Sequence, residues 1–261
     1  MKSNTIWILK HLNKRLYVSI LFVLLLYFYW HLSDLPLSSM NQYDAFIVIT
    51  KNIFTITYVI IPLYIILLAT TIRWQPHESL FMLKFPTRLR YLQFQLQRIL
   101  MLTFIYFICI VSSLTAVAFF MLNRANRWSN YATENHSPFI LQLPPILYVI
   151  MTYLLFFCLL LFVGFLFITT LLLFKRSIAA ILVSFLFAIT NIALLITQLK
   201  GLSDYTFFTF LVVDYFADHF QITSYPLLFS SFFYWFLLMT ILFFVSKNIV
   251  ETHDFSVKVD E

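Results

Sequence analysis

The chain has 261 residues, 62% hydrophobic, 20% aromatic and only 11% charged, against about 25% charged in an ordinary soluble domain. That balance excludes a water-soluble globule, which could not hide so much apolar surface, and intrinsic disorder, which needs low hydrophobicity and high charge. With two glycines there is no Gly-rich phosphate loop. Cys109 and Cys158, both inside apolar runs, make no disulfide framework. The remaining class is an all-α polytopic membrane protein.

Read in chain order, residues 5–16 place Ile8, Leu12 and Leu16 on one stripe and Lys10, Lys14 and Arg15 mostly elsewhere, which marks 1–15 as the first segment. That pattern suits an amphipathic helix in the membrane interface, or an ordinary basic flank. No small-x-small cleavage site follows Tyr29-Trp30-His31, so the first apolar run reads as an uncleaved anchor. Windows free of charge, including one from about Asn52 to Ile72 and one between Arg98 and Arg124, each long enough for the ~20 residues a bilayer requires, give six expected spans, placed at about 16–32, 46–72, 98–122, 144–174, 177–199 and 226–246. Lys51 stands at an early turn of the second and is expected to snorkel outward. The third holds 14 Leu, Ile, Phe or Val residues between Ile99 and Leu122, which favours insertion by about 4–8 kcal/mol before polar costs.

Lys and Arg set the expected orientation. With the N-terminus inside, thirteen of the seventeen basic residues fall on the cytoplasmic side and Lys51, Arg124, Arg127 and Lys200 outside. The net charge of +6 is therefore topological and requires no nucleic acid. Both termini, including a tail at 251–261, are expected in the cytoplasm, with the chain in the cell membrane.

Two pieces outside the lipid stand out. The loop at 73–97 carries Pro76 and Pro86, bracketing enough chain for two to three helical turns, with Glu78 at the positive helix end and Thr87 placed to cap the next helix. That next helix, from Arg88 through the third span, would be about 50 Å long and would project beyond a ~30 Å hydrocarbon core. The other is 201–225, apolar in its middle but too short to span, and so re-entrant or interfacial. Asp214 and Asp218 lie four apart there, either on a solvated edge or as an outer acidic patch.

No span centre carries an ionisable residue of the kind ion-coupled transporters use. The hydroxyls and amides in the spans, such as Thr169, Ser184 and Asn191, read as glue between helices. All six histidines, His136 among them, lie at or beyond the span edges and read as solvated. No metal site and no catalytic set emerges, so the chain is not expected to be an enzyme.

An uncharged interior with a cytoplasmic docking loop requires energy from a partner. The layout resembles the bacterial type-2 ATP-binding-cassette (ABC) exporter permeases, on Ile6 to Arg15 before the first span, Glu78 with Leu80 to Leu83 and Pro86-Thr87-Arg88 between spans two and three, and Tyr205 to Phe220 between spans five and six. Ser79-Leu80 stand where many members carry Gly-Thr. The resemblance implies a coupling helix, with Trp74, Glu78, Leu80, Phe81, Leu83 and Arg88 meeting an ATPase subunit. It implies a second permease copy, two ATPase copies holding ATP and Mg, and no cofactor on this chain. Phe-rich, uncharged walls suit amphipathic or lipophilic cargo, such as a bacteriocin-like peptide, a drug or a lipid. The alternative is a non-transporting anchor or sensor that recruits a cytoplasmic partner.

Overall fold

A computed structural model describes residues 14–72, 85–125, 127–197, 206–222 and 228–252. Six helices are long and apolar enough to cross a membrane, and no strand occurs among the described residues, so the chain is an all-α, multi-pass membrane protein. The expected interfacial helix at 1–15 lies almost entirely outside the described residues, as do Trp74, Glu78, Leu80, Phe81 and Leu83.

The crossing helices are α1 (Lys14–Ser33), α3 (Ile53–Thr71), α4 (Arg88–Met121), α7 (Pro145–Phe174), α8 (Ser177–Ile196) and α11 (Ser230–Thr252). Short elements join them: α2 (Gln42–Lys51) before α3, α5 (Asn130–Asn135) and α6 (Pro138–Leu141) after α4, and α9 (Phe207–Leu211) with α10 (Val213–His219) after α8. All of these short helices gather at one end of the bundle, here called the capped end; the opposite end is marked by Arg88.

Helix α7 is the hub. It packs against α4, α8 and α11 and also touches α2, α3 and both short helices α9 and α10. Of its apolar window 67% is buried, against 22% for α1, α8 and α11, whose remaining apolar faces are exposed. Close approach at its centre requires Gly164, because a Cβ there would stand 2.5 Å from Ile99 Cγ2 and 2.8 Å from the Tyr64 hydroxyl. The helix ends in a tight link, with Lys175 in the left-handed region at φ 55°.

Hydroxyls stitch the spans together, as expected for an interior without a hydrophobic drive between helices. Thr103 donates to the Ile99 carbonyl, so Tyr64 is the donor in its 2.5 Å bond to Thr103 Oγ1. Tyr106 donates to the Ile60 carbonyl at 2.8 Å, beside a π-helical turn over Ile56–Ile60 that precedes Pro62. Ser246 and Thr169 join α11 to α7 at 2.7 Å. Asn191 leaves this pattern: its Oδ1 accepts from the Phe207 backbone at 3.0 Å and so anchors the start of α9.

The second apolar segment is not one helix. Asn52 adopts an extended conformation (φ −79°, ψ 101°) between α2 and α3, and its side chain caps α3 by accepting from Thr55 N at 3.0 Å. Helix α4 has 34 residues, or about 51 Å at 1.5 Å per residue. Thr87 caps it by accepting from Arg90 N at 3.2 Å, the role its position foretold.

Candidate functional site

The break at Asn52 presents Lys51 to two other segments. Helix α2 begins with a full capping box: Asn41 Oδ1 accepts from Tyr43 N, and Asp44 Oδ2 accepts from Asn41 N at 2.6 Å. Asn41 Nδ2 also donates to the Arg127 carbonyl at 2.7 Å, and Gln42 N to the Asn123 carbonyl at 3.2 Å, which pins the start of α2 to the chain leaving α4. Ten residues of helix then carry Lys51 about 15 Å from that anchor.

There Lys51 forms an ion pair with Asp214, in the first turn of α10. His136, which closes the C-terminal end of α5, completes the cluster. Its Nδ1 lies 2.8 Å from Asp214 Oδ2 and 3.0 Å from Lys51 Nζ. Nδ1 can donate to the carboxylate or accept from the ammonium, so its tautomer follows whichever partner it serves. The side chains of His136 and Asp214 are 2% and 6% exposed, and that of Lys51 20%. The His136 ring sits between Trp128 and Tyr148, at 5.4 and 5.3 Å between centroids. Burial pushes the Asp214 carboxyl up, but the His136 hydrogen bond and the Lys51 charge outweigh it and hold its pKa below the usual value. For Asp44 burial wins, and its pKa is raised.

Three expectations change here. Lys51 does not snorkel; a buried carboxylate holds it. His136 is not a solvated surface residue; it is packed between aromatic rings. Asp214 and Asp218 are not equivalent, since Asp214 is buried and paired while Asp218 is exposed. Both nevertheless line a cavity of about 310 Å³ beside the cluster, together with Lys51, Asn135 and Ser137. The physical reason is common to all three: a charge that leaves water needs a partner, and the fold supplies it from chain 163 residues away.

At the opposite end Arg88 is exposed and donates to the Glu251 carbonyl at 3.0 Å, placing a cation at the C-terminal end of α11. Arg98 donates to the Thr71 carbonyl at 2.7 Å and so secures the end of α3. An apolar groove of about 540 Å³ runs between α4, α7 and α11, lined by Leu96, Leu100, Phe165, Phe236 and Phe243. Among the described residues no group of His, Cys, Asp and Glu could hold a metal ion.

Among known proteins, the chain is similar to an uncharacterized protein of Halalkalibacterium halodurans, 24% identical over 246 residues, covering 93% of this chain and 90% of the relative. No family model and no solved structure matches it.

Proposed function

We propose that this multi-pass membrane protein is the permease subunit of an ATP-driven ABC exporter, moving an amphipathic or lipophilic cargo such as a membrane-active peptide, a drug or a lipid. The observation that carries the reading is α4. At about 51 Å it outruns a bilayer core of about 30 Å, so its Arg88 end stands clear of the lipid. Its first turns carry Arg88, Arg90, Gln93, Gln95 and Gln97. In this reading the Arg88 end is cytoplasmic and the membrane is the cell membrane. Residues Trp74, Glu78, Leu80, Phe81 and Leu83 dock into an ATPase subunit, with Arg88 beside them.

Helix α7 fills the middle of the bundle, so the path lies between two copies of the chain and not within one. The apolar groove between α4, α7 and α11 fits lipophilic cargo or the flank of such a path. Two copies then pair with two ATPase subunits holding ATP and Mg. The chain needs no cofactor and no catalytic residue of its own.

The filled centre also favours a second reading, a non-transporting anchor or sensor that recruits a cytoplasmic partner through the same loop. Reconstitution of the chain with its ATPase separates the two. Cargo-stimulated ATP hydrolysis and vesicle loading are expected of a permease. A complex that forms but neither responds to cargo nor loads vesicles contradicts it.

A further inference from the structure

The groove between α4, α7 and α11 is open to the surface and has no charged side chain in its lining; Leu100, Phe165, Phe236 and Phe243 form its walls. Along α11 the lining runs from Phe236 to Phe244, about 12 Å of helix and less than half of a ~30 Å hydrocarbon core. A partner helix would need a seam along the whole span. A flexible hydrocarbon chain confined to one leaflet fits a groove of this length.

The groove's mouth, toward the Arg88 end, is cationic. Arg88 donates to the Glu251 carbonyl, so the start of α4 and the end of α11 lie side by side and antiparallel. Arg90 stands about 3 Å and Lys247 about 6 Å inward from that contact along their helices, within one turn of a common level. Each shares a face with the groove lining of its own helix, since Arg90 is seven residues before Gln97 and Lys247 four after Phe243. Arg90 is exposed and has no ion-pair partner among the described residues. Lys247 meets Glu251 at 3.9 Å, between side chains 39% and 51% exposed, a contact that solvent screens.

We propose that the groove binds an anionic phospholipid of the surrounding membrane, with its phosphate between Arg90 and Lys247 and an acyl chain laid against Leu100, Phe165 and Phe236. A guanidinium meets phosphate oxygens with two parallel N–H donors, and an ammonium adds a point charge. From the phosphate the acyl chain descends one helical turn to Phe243 and ends near Phe236, about 16 Å from Lys247 and so within about one leaflet. A zwitterionic lipid brings its own cation to the same mouth and loses the net attraction. The site stands whether or not the chain is an exporter.

The test uses the full chain in detergent without any ATPase, followed by native mass spectrometry during titration with phosphatidylglycerol or with phosphatidylcholine of the same acyl chains. Phosphatidylglycerol should saturate at one molecule per chain, with an affinity about tenfold or more above that of phosphatidylcholine. Arg90→Gln combined with Lys247→Gln should keep the thermal unfolding of the parent and bring phosphatidylglycerol down to the phosphatidylcholine value. Thr240→Trp, which fills the groove, should weaken both lipids. Glycerophosphoglycerol, the same headgroup without acyl chains, should not compete. Equal affinity for the two lipids, an unchanged preference in the double variant, unchanged binding in Thr240→Trp, competition by glycerophosphoglycerol, or a dimer of the chain that carries no lipid overturns the proposal.

Discussion

The two ends of the bundle are held in different ways. At the capped end, α2, the loop closed by α5 and the short helix α10 meet at one buried cluster of Lys51, His136 and Asp214. At the other end the polar ties described are to backbone carbonyls, from an exposed Arg88 to Glu251 and from Arg98 to Thr71. The difference is one of dielectric. A pair removed from water is strongly coupled and intolerant of losing one member, whereas an exposed contact is screened and individually weak. The capped end therefore depends on keeping one arrangement of charges, and the Arg88 contact does not.

The largest effect should come from breaking the cluster on one side only. Asp214→Ala leaves Lys51 without its carboxylate and should lower stability by about 3–5 kcal/mol, read from thermal or denaturant unfolding in detergent. Lys51→Met combined with Asp214→Leu should recover most of that loss. Equal destabilisation by the single and double variants would remove the ion pair from the account.

A smaller loss, about 1–3 kcal/mol, is expected for Gly164→Val, which forces side-chain carbons against Ile99 and Tyr64 at the hub. Unchanged unfolding would show that α7 can shift away from α3 and α4.

Acid sharpens the same contrast. The pKa of Asp214 is depressed in the folded chain from a reference of 3.8, so its contribution is complete above about pH 4 and is lost as pH falls through the lower, folded value. Unfolding temperature followed from pH 7 to pH 3 should therefore fall more steeply for the parent than for Asp214→Asn. Parallel curves would show that the carboxylate contributes nothing. At the Arg88 end, Arg88→Ala should cost under about 1 kcal/mol, because the contact is exposed; a loss as large as that of Asp214→Ala would erase the difference between the ends.

The number of spans was readable because ~20 uncharged apolar residues have no other use, and Thr87 was readable as a cap because threonine before a helix has a local job. The cluster was hidden because its members are 78 to 163 residues apart and periodicity carries no long-range pairing. A signal existed all the same. Asp214 lies in an otherwise apolar stretch from Phe207 to Phe216, and Lys51 at the edge of another. Two lone opposite charges in apolar surroundings require partners, and each was the natural partner of the other. The break at Asn52 left a weaker trace, since asparagine is a good N-cap but rarely interrupts a predicted span.

The proposed permease function requires work to enter at the Arg88 end, through the stretch joining α3 and α4. It is tested most directly by measuring ATP hydrolysis retained on the affinity-purified chain from its native membranes. The parent should carry that activity, Glu78→Ala combined with Phe81→Ala should strip it, and Asp218→Asn at the capped end should leave it intact. A parent chain that purifies without ATP hydrolysis, or a Glu78→Ala, Phe81→Ala chain that keeps it, would contradict the claim.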